Sequence, residues 1–247
     1  MKKYFIIGPI ALILTWALVA KLGLVDSFFL PDPFATIGQL GKLIGSGSIL
    51  ADLYATLERV VFAFGISVAL GLPLGLLLGR SEKLYRSLEF IIDFFRSTPS
   101  TALFPLFLLV FGITDKSKIA VAAFASMLII IFNTAYGVIH AKKSRLLAAK
   151  IMGASKAQIF RWILFWESLP QTFIGLRSAV SLSLVLIIVT EMFIGTESGL
   201  GRRIIDSQIT YEIKTMYAVI LLSGIVGYFL NLLFLAVEKR VLHWSGK

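Results

Sequence analysis

An all-α, polytopic membrane protein is what this sequence predicts, and three observations predict it. The chain of 247 residues is 57% hydrophobic and only 15% charged, too little charge to cover a soluble domain of that size. Its mean hydropathy is +0.88. Its apolar stretches run on for about 20 residues, enough to cross a bilayer as a helix, rather than alternating as barrel strands do. Other classes are excluded on composition. Cysteine is absent, so there is no disulfide framework or thiolate metal site. His140 and His243 are the only imidazoles, too few for a His-based metal site. No Walker phosphate loop, nucleophile elbow or zinc-helix motif is present, so no catalytic, cofactor-binding or metal-binding residues are expected. The net charge of +10 would point to nucleic acid in a soluble chain. Here basic loops on one side of a lipid bilayer account for it, and no nucleic-acid partner is expected.

Six spans are predicted within a single domain, 1–247, at about 4–22, 57–79, 88–111, 118–139, 168–193 and 216–237. Met1-Lys2-Lys3 precedes an apolar run from Tyr4 without a small-x-small cleavage site, which reads as an uncleaved first helix with a cytoplasmic N-terminus. Leu30-Pro31-Asp32-Pro33 breaks the chain. The stretch 34–44 is amphipathic, with Phe34, Ile37, Leu40 and Leu43 apolar, and is too short to cross, so it is placed along the outer interface. Gly45-Ser46-Gly47-Ser48 is a flexible joint. In the second span, Gly71-Leu72-Pro73-Leu74-Gly75 is a small-xxx-small pattern and reads as a helix-packing face.

The later spans carry polar residues that need explaining. Asp93 and Arg96 are three apart, so they meet on one helix face, with Thr98-Pro99 following. They read equally as a structural ion pair or as part of a path. Asn133 and Thr134 in the fourth span either hydrogen-bond to a neighbouring helix or line a path. Arg177 and Glu191 in the fifth lie 14 residues apart, about 21 Å along a straight helix, so each needs a partner elsewhere or an aqueous contact. The candidate pathway residues are thus Asp93, Arg96, Thr98, Pro99, Asn133, Arg177 and Glu191. The polar stretch 195–214 is expected to dip back or to run along the outer surface.

The stretch 146–170 lies between two long apolar runs and is basic and amphipathic. Ala148, Ala149, Ile151, Met152, Ile159 and Phe160 recur at helical spacing among Lys150, Lys156 and Arg161. Gly153-Ala154-Ser155 interrupts it: Gly ends one helix and Ser155 caps the next. The predicted shape is helix, tight turn, short helix, too polar to cross a bilayer; it reads either as a solvated loop or as a surface shaped to receive another protein. Fourteen of the 24 basic residues fall on one proposed side, the cytoplasmic one. They are Lys2, Lys3, Arg80, Lys83, Arg86, Lys142, Lys143, Arg145, Lys150, Lys156, Arg161, Lys239, Arg240 and Lys247, and the excess sets the orientation.

These residues support a comparison. Leu147-Ala148-Ala149, then Gly153-Ala154-Ser155, then Leu169-Pro170 resembles the "EAA" signature of ABC-importer permeases. Leu147 stands where that signature has Glu, and Trp166 where a proline is usual. The order of Leu30-Pro31-Asp32-Pro33, Thr56-Leu57-Glu58-Arg59-Val60, Arg96-Ser97-Thr98-Pro99, Ala102 to Leu106, Phe111-Gly112, Asn133-Thr134, Gly175-Leu176-Arg177, Glu191-Met192 and Gly199-Leu200-Gly201 resembles the nitrate/sulfonate/taurine branch. The resemblance implies the type I importer-permease fold of six transmembrane helices, in a multi-pass protein of the bacterial inner membrane with both termini cytoplasmic. It implies a cytoplasmic coupling loop, 140–166, whose residues Leu147, Ala148, Ala149, Gly153, Ala154 and Ser155 engage a separate ATPase subunit. It further implies two such ATPases carrying ATP and Mg, a second permease copy or sister permease, and an extracytoplasmic solute-binding protein. The cargo it implies is a small solute, an anion such as nitrate, bicarbonate, taurine or another sulfonate. A stand-alone secondary transporter or channel is the alternative. It calls for inverted repeats and interrupted helices in both halves, and it has no use for the central basic loop.

Overall fold

The computed structural model describes residues 7–243, all of whose regular structure is helical. The start of the first expected span and Lys2, Lys3 and Lys247 lie outside the described residues. Eleven α-helices follow one another: α1 (Ile7–Lys21), α2 (Pro33–Gly45), α3 (Leu50–Gly79), α4 (Glu82–Ser97), α5 (Phe104–Phe111), α6 (Asp115–Ile139), α7 (Lys143–Ile151), α8 (Lys156–Ile159), α9 (Phe165–Phe193), α10 (Leu200–Ile209) and α11 (Ile213–Val241). A π-helical turn, Phe160–Leu164, joins α8 to α9 without a break. Four stretches are long and apolar enough to cross a membrane: α3, α6, Lys156–Phe193 and α11.

The expected 88–111 span is not one rod. It is split between α4, which begins six residues earlier at Glu82, and α5, with a bend of 91° between them. Pro99 is the cause. Its ring bars the preceding residue from the helical region, and Thr98 accordingly sits extended at φ −72°, ψ 128°. The Thr98 hydroxyl donates back to the Phe94 carbonyl at 2.8 Å, closing the end of α4. A 3-10 turn, Ser100–Leu103, then leads into α5. The helix α4 is amphipathic, with Glu82, Arg86, Glu89, Asp93 and Arg96 recurring at helical spacing and Tyr85 and Ile92 buried.

The core is built on α3, α6 and α9. The apolar window of α6 is 56% buried, against 17% for α11, which makes α6 the central helix. Its neighbours come close because glycines recur every fourth residue on α3. A Cβ at Gly75 would lie 2.7 Å from Thr134 Cβ and 2.9 Å from the Ile131 carbonyl, and one at Gly79 would lie 2.6 Å from Val138 Cβ. The small-xxx-small stretch is therefore a packing face, where absent side chains let two backbones approach.

The shorter elements wrap this core. Asp32 caps α2 by accepting from the amides of Phe34 (2.8 Å) and Ala35 (3.0 Å), with Pro33 as the first helical residue. Leu40 of α2, Leu200 and Ile204 of α10, and Ala218 and Val219 of α11 share one apolar cluster. The polar stretch 195–214 thus forms a loop and a short amphipathic helix tucked against α11. Within its described residues α1 buries no side chain of its own. It is held through Trp16, whose indole N–H donates to the Pro31 carbonyl at 3.0 Å.

Gly75→Val is expected to lower the thermal midpoint in detergent by an amount equivalent to about 1–3 kcal/mol or more, because the α3–α6 contact has no room for the added methyl groups. Gly71→Ala is expected to be nearly neutral. Its Cβ would sit 3.0 Å from Ile130 Cβ, and the gain in helix propensity, up to about 1 kcal/mol, offsets the squeeze. Equal midpoints for the two variants would refute the packing role.

Candidate functional site

Two ends of the bundle carry the chemistry. At the basic end, α7 stops at a turn in which Gly153 adopts φ +78°, a conformation only glycine takes without strain. Amides of Gly153 and Ala154 donate to the carbonyls of Lys150 and Ala149, both at 3.0 Å, and close the α7 terminus. A capping box starts α8: the Ser155 hydroxyl accepts from the Gln158 amide (3.3 Å), and Gln158 Oε1 accepts from the Ser155 amide (2.8 Å). The expected helix, tight turn and short helix are all present, and their ends are fixed by hydrogen bonds.

This hairpin projects an apolar tip. Leu147 is 61% exposed, Ile151 79% and Met152 85%. Ala148, Gly153 and Ser155 are exposed as well, while Ala149 and Ala154 are half-buried. Lys142, Lys143, Arg145, Lys150, Lys156 and Arg161 are all exposed around it, and the sequence has no acid between His140 and Trp166. The first acid after the tip, Glu167, pairs with Arg145. A cavity of about 250 Å³ lies between the two arms, lined by Lys142, Arg145, Trp162, Trp166 and Pro170 among others.

Of the candidate pathway residues, four share the α4 break. Arg96 pairs with Asp93 at 3.2 Å, as their spacing predicts, and lays its guanidinium 3.9 Å from the centre of the Phe132 ring. Thr98 and Pro99 form the bend itself. Beside α4 lies a polar trough of about 540 Å³ lined by Glu82, Arg86, Glu89, Phe132, Tyr136 and His140 among others.

The other three are engaged elsewhere. Asn133 accepts from Gln171 Nε2 of α9 at 2.9 Å and packs where Gly175 leaves space, so it serves helix packing. Arg177 lies 4.0 Å from Glu238 of α11. Glu191 is 1% exposed and faces the packed interior rather than an aqueous path.

At the opposite end, Glu191 anchors a buried ion cluster. Its carboxylate accepts from Arg59 Nη1 (2.7 Å), from the Thr56 hydroxyl (2.9 Å to one oxygen, 3.0 Å to the other) and from the Gly201 amide (3.0 Å). Arg59 also donates to the Ser198 carbonyl (2.8 Å) and the Thr196 hydroxyl (3.0 Å), and its Nε lies 3.0 Å from Asp115 Oδ1. Lys118, itself 1% exposed, pairs with Asp115 at 2.9 Å. Asp52 accepts from the Gly199 amide (3.0 Å) and Arg203 Nε (2.9 Å). Gly199 holds φ +147°, and a Cβ there would lie 2.5 Å from the Glu191 carboxyl carbon. Sequence reasoning missed Arg59 as the partner of Glu191, and Asp115 and Lys118 as the pair that extends the cluster from Arg59. The signal was available: charged residues in apolar spans demand one another.

Among the described residues, no group of three His, Cys, Asp or Glu side chains is placed to hold a metal ion. Residues 71–243 match the family of binding-protein-dependent transport system inner membrane components. The chain belongs to that family. The permease is 31% identical over 232 residues to a probable ABC transporter permease protein of Brucella abortus (strain 2308), covering 94% of this chain and 91% of that one. It is 29% identical over 247 residues to the taurine transport system permease protein TauC of Escherichia coli (strain K12), covering 98% and 90%. It is 30% identical over 210 residues to the nitrate import permease protein NrtB of Synechocystis sp., covering 85% and 74%. Its fold matches a chain of the inward-facing MetNI methionine ABC transporter, with TM-score 0.69, 22% identity, and 78% and 95% of the two chains covered. The molecule is thus an inner-membrane, multi-pass ABC-importer permease of the taurine/sulfonate/nitrate type with a type I importer fold. It is a non-catalytic subunit that works with ATPase partners.

Glu191→Leu is expected to destabilise the permease by about 3–5 kcal/mol, because it leaves Arg59 buried with its main counter-charge removed. Arg145→Ala, which breaks a pair whose arginine is 59% and whose Glu167 is 13% exposed, is expected to cost less, about 1 kcal/mol, because solvent still reaches the pair from the arginine side. Thermal unfolding in detergent ranks the two, and a shift for Glu191→Leu no larger than that for Arg145→Ala would contradict the cluster's assigned weight.

Proposed function

We propose that this permease, paired with a second copy or a sister permease, forms the path by which a small anion of the nitrate, bicarbonate or sulfonate/taurine class enters the cytoplasm. An extracytoplasmic binding protein delivers the solute, and ATP and Mg are bound by the partner ATPases. The basic end faces the cytoplasm, consistent with its excess of Lys and Arg. The 146–161 segment seats in a groove on the ATPase and conveys its movement.

One observation carries this reading: an apolar tip of Leu147, Ile151 and Met152 stands among six exposed cations on a stretch, 141–165, that holds no acid, with Arg145 paired to Glu167 beyond it. Large exposed apolar side chains rimmed by charge mark a protein-docking surface. The capped hairpin gives that tip a fixed shape, and the π-turn makes it continuous with α9, so force applied to it reaches the core. Leu147, in place of the Glu of the family signature, makes the contact more apolar. The partner groove is accordingly expected to be apolar at its floor and acidic at its rim.

The relatives named for taurine and nitrate support the solute class. Arg96 is the residue assigned to meet the anion. Its side chain is 39% exposed beside the trough, and a guanidinium carries five N–H donors, of which Asp93 occupies only part.

Ile151→Asp is expected to weaken capture of the ATPase subunit by about tenfold, equivalent to 1.4 kcal/mol, without moving the thermal midpoint of the isolated permease. Gly153→Trp is expected to lower both ATPase activity and uptake in the assembled complex. Unchanged capture and unchanged activity would remove the segment from coupling. Arg96→Ala is expected to reduce uptake of radiolabelled taurine or nitrate more than it reduces assembly, and normal uptake of both would take Arg96 out of the path.

A further inference from the structure

We propose that the Glu191–Arg59–Asp115 cluster is the fixed pivot of the permease. Arg59 and Glu191 act as positioning residues that make the far end of the core follow a displacement delivered at the 146–161 segment. The inference rests on the docking reading above and adds to it how motion at one end becomes a change at the other.

The core interfaces differ along their length. Near the basic end, α3 meets α6 through Gly75 and Gly79 against Thr134 and Val138. There α6 meets α9 through Gly137 against the Ser168 backbone, Gly175 against Asn133, and the Asn133–Gln171 hydrogen bond. Contacts between small residues constrain distance more than they constrain direction, and a neutral hydrogen bond contributes modestly. At the far end the link is ionic. Among the described residues, the ion pairs that join two of the three core helices both involve Arg59: to Asp115 of α6 and to Glu191 of α9.

The same residues hold the far-end loop. Arg59 donates to Thr196 and Ser198, Glu191 accepts from Gly201, and Thr56 accepts from the Leu200 amide at 2.8 Å. The guanidinium and carboxylate therefore fix α3, α6, α9 and the start of α10 in one arrangement. From Pro170 onward α9 runs as one helix to Phe193, a lever about 35 Å long at 1.5 Å per residue. The inner end of that lever is continuous with the docking hairpin, and its outer end is bound in the cluster. Well-packed apolar residues can hold helices as firmly as a buried ion pair. What the charges add is directional geometry, since five planar N–H donors and two carboxylates accept few orientations.

The native chain has no cysteine, so single cysteines report without background. Ser144→Cys, exposed on the first turn of α7 outside the 146–161 segment, and Gln208→Cys, exposed on α10, are labelled with a water-soluble maleimide. The full complex with its ATPases is used in liposomes, nucleotide-free and trapped with ATP and vanadate. In the otherwise native permease both labelling rates are expected to change on trapping. In Arg59→Met and Glu191→Gln the Ser144→Cys response is expected to persist while the Gln208→Cys response is lost. Thr56→Val, which keeps the ion pairs, is expected to reduce it in part. A Gln208→Cys response of native size in both charge variants overturns the pivot. So does loss of ATPase assembly in all three variants, because the pivot requires docking to survive. If neither position responds in the native background, the docking reading itself fails, a result distinct from both.

Discussion

A carboxylate with no exposed side-chain surface is the constraint around which this permease is arranged. Charge removed from water costs several kcal/mol unless it is paired and its remaining lone pairs are filled. Glu191 meets that demand only by drawing donors from α3 and from the start of α10 at once. Arg59, buried to satisfy it, then needs further acceptors and takes them from Asp115 and the 196–198 loop. Each pairing obliges the next, out to Lys118 and Arg203. The result is three cations and three anions that place the ends of four helices, α3, α6, α9 and α10, relative to one another. Gly199 and Gly201 belong to the same constraint, since a side chain at either would enter the space of Glu191 or of the α9 backbone.

At the basic end the physics is reversed. There the helices touch through absent side chains, and the charge is turned outward. Six cations and three large apolar residues stand in the open. This chain engages Arg145 through Glu167 and Arg161 through the Trp162 ring; on the proposed reading, the apolar residues and the remaining cations meet a partner. The two departures from the family signature have local consequences. Leu147 enlarges the apolar tip. Trp166 retains a backbone amide that proline would lack. The chain enters α9 through a π-turn, in which the Phe165 amide donates to the Phe160 carbonyl five residues back.

Much of this was legible in the sequence, and what was not shares a cause. Apolar runs gave the membrane helices. Asp32-Pro33 gave the start of α2, and Gly153-Ala154-Ser155 gave the turn of the hairpin, because caps and breaks act over three or four residues. The Asp93–Arg96 pair was legible for the same reason. The 91° bend at Pro99 was not read, and 88–111 was expected as one span: proline sets the conformation of Thr98, whereas the angle depends on where α4 and α5 find neighbours on α6. The ion cluster was least legible. Arg59 and Glu191 are 132 residues apart, and no local pattern joins them. Glu191 was legible as an intramembrane charge in need of a partner, but that the partner is Arg59 was not.

The trough beside α4 bears on how an anion would be handled, on the proposed reading. Glu82, Glu89 and Asp93 lie along the same helix as Arg86 and Arg96, and Arg86 pairs with Glu82 at 2.7 Å. Net charge there does not favour an anion. Attraction over a distance, the effect of a uniformly basic funnel, is therefore not how this face would select its cargo. What it offers is directional. The Arg96 guanidinium lies 3.9 Å from the centre of the Phe132 ring and pairs with Asp93, with donors left over for an oxyanion that reaches it. Such a contact is strong at hydrogen-bond range and weak beyond it. That suits a step in a transport path, where a solute must be held briefly and released, and it leaves high-affinity selection to the binding protein.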